Sequence, residues 1–388
     1  MLIGINGNEA NIQNRVGVNQ YTASLLIALE KLPAATKHKF VVYLSSVPGD
    51  HLPKAREGWD YKILPGRGLW IVSTLMPFLL VTRKKPDVLF TPSHYSVPIS
   101  VIPQVVSVMD LGYLNSRDQF RLKDFIQLKY WTAWSIRQAK KIIAISESTK
   151  KEIIDNYPMA KDKIVVTYLG YDKNKFKSDP LREASQIGFK IQKSNPIKSD
   201  SKVQIDQVKK KFGIEGDYML YLGTLKPNKN VEGIVKAFAQ LQSLPLTLVI
   251  AGKKGWLYEQ IFKLVEKNNI KDRVIFTDFV GEEDKPALIA GASVFTSPSF
   301  WEGFGIHILE AMAMGTPVVC SREGSLPEVG GEAVVYVDPR DPASIAWGIR
   351  EALKNRDELM VRGLAQAKKF SWEKTASETL AILESTAL

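Results

Sequence analysis

Two carboxylates stand eight positions apart in the stretch SFWEGFGIHILEAMAMGTPVV, residues 299–319: Glu302 lies before a glycine corner and Glu310 beyond it. Gly303 and Gly305 carry no Cβ, so a ligand can approach the backbone there closely. Upstream, the apolar run SVFTS meets Pro298; downstream, IHILEAMAM reaches Gly315 with Pro317 just beyond, the stop signals of a helix. The unit therefore reads as strand, loop, helix. At the helix start the amides of Phe304, Gly305 and Ile306 lack intrahelical partners and carry the positive end of the dipole, which favours an anion, and with glycines alongside, a phosphate. Glu310, a turn or more into the helix, can then accept hydrogen bonds from a ribose diol, and Glu302 can hold a hydroxyl of a second sugar across the phosphates. Alternatively, Glu302 only marks the helix start and Glu310 forms a surface ion pair.

Other reactive residue types are sparse. Cys320, the single cysteine, follows TPVV and reads as a small core residue in a buried strand, with no disulfide to form. His38 and His51 have no motif around them and read as surface residues. His94, in TPSHYSVP, and His307, at the helix start, can either reach a ligand or be structural. No D-x-D and no zinc spacing occurs, and GEEDK reads as a helix start, so no essential metal is expected.

Elements that would position these groups follow from the apolar pattern. KFVVYL, DVLFT, QVVSVM and KIIAIS come early; YMLYLG, LTLVIAG, RVIFT, SVFTS and PVVCS come late, all separated by longer amphipathic stretches. Continuous apolar runs alternating with helices indicate parallel strands covered on both faces, the doubly wound α/β arrangement, and the pattern appears twice. Between the sets, residues 171–205 are polar and rich in lysine and serine, as a linker or insertion would be. The expected organisation is a first domain over 1–170, a linker over 171–205 and a second domain over 206–370. Two such domains facing each other would leave a crevice lined by the carboxyl ends of their strands.

Composition agrees with a globular chain: 388 residues, 45% hydrophobic and 24% charged, suffice for two cores. Residues 1–170 hold 22 Lys and Arg against 13 Asp and Glu, which leaves +9 of the formal +11 in the first half. That bias suits an anionic partner. MLIGIN reads as an opening strand rather than a signal peptide. LWIVSTLMPFLLVT, residues 69–82, is interrupted by Pro77 and is shorter than the roughly 20 residues that span a bilayer. RLKDFIQLKYWTAWSIRQAKK, residues 121–141, sets Phe125, Tyr130, Trp131 and Trp134 among basic residues at helical spacing. Such a helix can lie on an anionic membrane, or bury its aromatics against a sheet with the basic face in water.

PSFWEGFGIHILEAMAMGTPVV resembles the E-x7-E signature of retaining, GT-B fold glycosyltransferases of family 4. The resemblance continues through YLGTLKPNKNVEGIVKAF, LVIAGKKGWLYEQI, VIFTDFVGEEDKPALIAGASVFTSPS and SLPEVGGEAVVYVDP, and into the first half at NRVGVNQYTASLLIAL, while FSWEKTASETLAIL resembles a last helix, 371–388, that returns to the first domain. Within that family the chain is most similar to the branch that transfers mannose or related sugars. The resemblance implies two Rossmann-like domains and a hexose moved from a nucleoside diphosphate sugar, GDP-mannose before a UDP sugar, to a glycan or lipid-linked acceptor. It implies a cytoplasmic enzyme of polysaccharide synthesis with no tightly bound cofactor and no nucleic-acid partner. Residue by residue, it implies that Lys229 neutralises the diphosphate beside Gly17, Gly223 and Thr224, and that Glu310 binds the ribose. It further implies that Glu302 with Gly303 and the amides of Phe304 and Gly305 orients the sugar, that backbone near Phe279 and Val280 reads the base, and that Asp110 joins Glu302 and Lys229 in catalysis.

Two positions depart from the family pattern. The family usually carries His-Asp where this chain has Met109 and Asp110, and methionine can neither donate a hydrogen bond nor take a proton. A sugar-nucleotide-binding protein with impaired catalysis is therefore the alternative reading. Asn228 stands where mannosyltransferase-like relatives often have arginine, which leaves Lys229 as a lone point charge.

Overall fold

A computed structural model describes residues 1–13, 15, 17–114, 122–178, 200–255 and 258–387. Val16, Arg121, residues 179–199 of the expected linker and residues 256–257 lie outside these. The chain forms two compact units, Met1–Gly170 with Ser371–Leu388, and Tyr171–Phe370.

Unit 1 begins with β1 (Leu2–Asn6), α1 (Val18–Lys31), β2 (Lys39–Leu44) and β3 (Trp59–Ile63). It continues through α2 (Met76–Val81), β4 (Val88–Thr91), β5 (Gln104–Val108), α3 (Leu122–Gln138), β6 (Lys141–Ala144), α4 (Glu147–Asn156) and β7 (Ile164–Val166). The seven strands are ordered β3-β2-β1-β4-β5-β6-β7, every pair parallel. Every residue of β4 and β5 is buried, as a strand covered on both faces requires, and both were apolar enough to be read from sequence. Edge strand β3, WDYKI, buries only Trp59, so its polarity hid it from the apolar pattern. The chain leaves β1 toward β2 and β3, then returns to place β4 on the other side of β1, so the switch point lies at the β1 and β4 ends.

Unit 2 holds α5 (Asp200–Phe212), β8 (Asp217–Leu222), α6 (Val231–Phe238), β9 (Leu246–Ala251), α7 (Glu259–Lys267) and β10 (Val274–Asp278). There follow α8 (Lys285–Ala290), β11 (Val294–Ser297), α9 (Ile306–Ala313), β12 (Val318–Ser321), α10 (Leu326–Gly330), β13 (Val335–Val337), α11 (Pro342–Lys354) and α12 (Arg356–Ala367). Its six parallel strands run β10-β9-β8-β11-β12-β13, with the switch between β8 and β11. Cys320 is fully buried in β12, and burial pushes its thiol far up. The linker expected over 171–205 is corrected at both ends. Phe176 is buried in unit 2, and α5 starts at Asp200, with Ile205 and Val208 on one face, Val208 buried, within the lysine-rich sequence.

The last helix, α13 (Trp372–Ala387), belongs to unit 1, where it packs on α1 and beside β4, β5 and β6. Ala376, Leu380 and Leu383 form its buried face, and Thr375 Oγ1 donates to Tyr168 O at 2.7 Å. A Cβ on Gly170 would lie 2.0 Å from the Trp372 amide, so only glycine lets the two backbones approach. His38, expected at the surface, instead bonds Glu384 at 2.7 Å with its side chain 10% exposed, and His51 bonds Ala10 O at 2.8 Å. Both partners are remote in sequence, which is why no local motif announced them.

α3 buries part of its aromatic set against unit 1 and leaves the rest exposed. Phe125 and Trp131 turn inward: Phe125 packs against the core beside Tyr113, and the Trp131 indole donates to Ser96 O at 2.9 Å. Leu122, Ile126, Tyr130 and Trp134 face outward at four-residue spacing, next to exposed Ile99 and Val101. No helix among the described residues is long and apolar enough to cross a membrane.

Candidate functional site

The switch point of unit 2 brings together the loops after β8 and β11. Gly223 and Thr224 continue from β8, and Gly252, with φ 146°, passes so close that a Cβ would lie 1.9 Å from Gly223 O. The chain then makes a single 3-10 turn, Pro227–Lys229, and enters α6 through Asn230 in the left-handed region, φ 54°. Asn230 caps α6 by accepting from the Gly233 amide at 3.2 Å, while its own amide donates to Pro298 O at 3.1 Å and Pro339 O at 2.6 Å. Asn228 O accepts from the Phe300 amide at 2.8 Å, and the Asn228 side chain donates to Trp301 O at 3.4 Å. The residue that replaces an arginine in related sequences thus stitches the lysine turn to the glutamate loop.

These ties deliver Lys229 onto Glu302. The ammonium lies 2.5 Å from Oε2 and 2.6 Å from Oε1, with the two side chains 21% and 13% exposed. Ser299 Oγ donates to the same carboxylate at 2.8 Å. Behind it, Glu302 O accepts from both the amide and the hydroxyl of Ser325 at 3.1 Å. Gly324, with φ 61°, allows that approach, since a Cβ there would lie 2.4 Å from Glu302 O. Buried Tyr221 has its phenol pushed well up by burial, and further by the Glu302 charge. Sequence reading separated a phosphate-binding lysine from a sugar-binding glutamate; the structure makes them one ion pair.

The corner after Glu302 is anchored by Phe304, 4% exposed and edge-on to Phe370 at 5.9 Å. Gly305 takes φ 84°, and α9 starts at Ile306. The first-turn amides therefore fall on Ile306 and His307, whereas Phe304 and Gly305, grouped with Ile306 in the sequence reading, form the bend ahead of them. Glu310 does not form a surface ion pair: it is 7% exposed and bonds His307, Nδ1 to Oε2, at 3.0 Å. Residues i and i+3 share a helix face, which explains the contact. At the end of β10, Asp278 adopts φ 54° beyond a register shift, leaving Phe279 exposed beneath the Lys253 ammonium at 4.6 Å while Val280 is buried.

Gly17 and Asp110 belong to unit 1. Gly17 enters α1 at φ 51°, and a Cβ there would meet nothing within 4 Å. Asp110 follows β5 and accepts from the Gly112 amide at 3.0 Å; the neighbouring Met109 O accepts from Thr149 Oγ1 at 3.2 Å.

Sequence reading missed Glu9, just beyond β1, whose carboxylate accepts from Asn19 at 2.6 Å. Burial raises its pKa, with the Asn19 bond opposing. Its place in NGNEA directly after the opening strand, at the switch point, was the available signal. His94, just beyond β4, is pushed down to about 4 by burial, and its Nδ1 finds no partner among the described residues. Its ring lies edge-on to Tyr95 at 4.7 Å, and Tyr95 is 4.9 Å from Trp131. The Tyr95 phenol is pushed up to about 12, by burial first and by the Glu9 charge next. Among the described residues no group of His, Cys, Asp or Glu is arranged to hold a metal ion.

Comparison with known proteins adds the following. The family model described as Glycosyl transferases group 1 matches residues 204–370, and that described as Glycosyltransferase Family 4 matches residues 16–175. O-antigen chain mannosyltransferase B of Escherichia coli is 35% identical over 255 residues, 63% of this chain and 61% of that protein. Serotype-specific mannosyltransferase WbdA of Escherichia coli is 30% identical over 62% of this chain and 28% of its own. The chain thus spans about three-fifths of the first of these relatives and less of the second. Among solved structures, HepE of Anabaena in complex with UDP and glucose superimposes with a TM-score of 0.70 at 18% identity, covering 99% of this chain and 100% of that one. Sucrose-phosphate synthase of Thermosynechococcus elongatus gives 0.72 at 18% identity over 99% and 98%. At such identities the likeness concerns the fold.

Proposed function

The chain belongs to the GT-B fold glycosyltransferases of family 4, and we propose that it moves a hexose, mannose before others, from a nucleoside diphosphate sugar to a glycan or lipid-linked acceptor with retention at the anomeric carbon. The observation that carries this reading is the Lys229–Glu302 pair, held on three interlocked loops beside the open start of α9. In the reaction the anomeric C–O bond breaks, its electron pair goes to the diphosphate, the acceptor oxygen enters from the same face, and its proton passes to a phosphate oxygen. Most of the barrier is charge build-up on the leaving group, which Lys229 and the Ile306 and His307 amides can stabilise without a metal. Glu302, oriented by Ser299, holds the sugar hydroxyls; Glu310 takes the ribose; backbone around Gly223, Thr224, Phe279 and Val280 lines the remainder. The mannosyltransferase relatives support mannose, and with it GDP ahead of UDP.

In unit 1, the β1 and β4 ends offer Glu9, Asn19 and Tyr95 to a neutral, hydroxyl-rich acceptor, with Gly17 and Asp110 on the loops beside them. The outward stripe of α3, flanked by Lys123, Lys129 and Arg137, suits the surface of an anionic membrane carrying such an acceptor. Met109 favours a second reading, a binder of sugar nucleotides that does not turn them over. One experiment separates the two. GDP-mannose, UDP-glucose and ADP-glucose are compared by thermal shift, and nucleotide release is then followed with mannobiose as acceptor. Stabilisation with acceptor-dependent release supports the transferase, stabilisation alone supports the binder, and no stabilisation by any of the three overturns both.

A further inference from the structure

We propose that His307 is a specificity-determining residue of the nucleotide site, which reads the ribose diol jointly with Glu310. The inference rests on the donor-site reading above and goes beyond it, because that reading gave the ribose to Glu310 alone. A carboxylate that grips a vicinal diol by itself needs both oxygens. Here Oε2 already spends one of its two acceptor sites on His307 Nδ1 at 3.0 Å, on the side where the ring stands, and Oε1 has no hydrogen-bond partner among the described residues. Glu310 is 7% exposed and sits in a helix packed on both sides, so the carboxylate cannot swing out to free the second oxygen without leaving a buried charge unpaired.

The histidine has what the glutamate lacks. A carboxylate only accepts, so Nδ1 carries the hydrogen, and the tautomer leaves Nε2 of the neutral ring with a lone pair. Nε2 has no partner among the described residues, and the His307 side chain is 34% exposed against 9% for Glu310. Helical spacing of three keeps both groups on one face, His307 within the open first turn and Glu310 about one turn further on. One hydroxyl of the diol can then donate to Glu310 Oε1 and the other to His307 Nε2, while the Nδ1 bond fixes the carboxylate. His307 thus acts both by contact and by positioning.

The test uses the full chain and isothermal titration with GDP, 2′-deoxy-GDP and 3′-deoxy-GDP. Wild type should bind GDP about 10-fold or more tighter than either deoxy analogue, since each has lost one hydroxyl contact. His307→Ala should weaken GDP by about 10-fold and lose discrimination against one deoxy analogue while keeping some against the other. His307→Asn, whose amide can replace Nδ1 on Glu310, should bind GDP better than the alanine variant yet show the same loss of discrimination. If His307→Ala binds GDP like wild type, or loses GDP and both analogues by equal factors, the inference is wrong. If wild type binds no GDP, or fails to distinguish it from either analogue, the donor-site reading itself is wrong instead.

Discussion

Glu302 and Lys229 hold each other with most of their surface shielded from water, so neither can be removed without leaving a half-buried charge alone. Lys229→Ala should therefore weaken nucleoside diphosphate binding by about 10-fold or more and also lower the melting temperature, because the Glu302 charge is left unpaired. Titration of GDP and a thermal scan check both effects. Glu302→Gln keeps the shape and the Ser299 bond but loses the charge. It should cut kcat by about 100-fold while changing GDP affinity by no more than about 3-fold, measured by nucleotide release and by titration. His94 gives a pH prediction. Its folded pKa, about 4, lies below the unfolded value near 6.5, so as pH falls through that window the unfolded chain gains a proton that the folded chain refuses. Stability should drop by up to about 1.4 kcal/mol per pH unit between 6.5 and 4, and His94→Gln should flatten that slope in urea melts at stepped pH. At this scale the glycine corner and its two acids were legible because glycine and proline punctuate the sequence locally. The partners were not: Lys229 meets Glu302 across 73 positions, and His38 meets Glu384 across 346.

Three loops, after β8, β11 and β12, are sewn together by hydrogen bonds from four side chains: Asn228, Asn230, Ser321 and Ser325. Gly324 is the stitch with least tolerance, at φ 61° against Glu302 O. Gly324→Ala should cost about 1 to 3 kcal/mol through the left-handed backbone and the displaced carbonyl, and should weaken GDP binding in parallel, checked by urea melts and titration. The interior strands were legible as elements because burial on both faces makes their sequences continuously apolar. Three of the four edge strands were not: β3 is polar, and β7 and β13 have three residues each, too few to show a pattern, whereas the fourth, β10, was read as RVIFT. The start of α9 at Ile306 was legible as well, because the glycine corner that ends at Gly305 marks it.

Parallel sheets in both units make the whole molecule an α/β protein, and this followed from the twice-repeated alternation of apolar and amphipathic runs. What composition could not express is the dependence of unit 1 on α13. Leu383 is fully buried there. Leu383→Ala should destabilise unit 1 by about 2 to 5 kcal/mol. GDP binding, which is read as a property of unit 2, should be unchanged at low temperature; a thermal scan with and without GDP separates the two.

The chain order of that helix bears on how the protein is born. Two hundred residues, Tyr171–Phe370, are translated between the two parts of unit 1. At about 5 to 20 residues per second, the ribosome spends about 10 to 40 s on them while the earlier segment waits, its α13-facing surface uncovered. The later-encoded Rossmann-like unit is therefore the first that can close on itself as the nascent polypeptide emerges, and the earlier-encoded one matures only once α13 has left the ribosome, with its uncovered face exposed to aggregation until then.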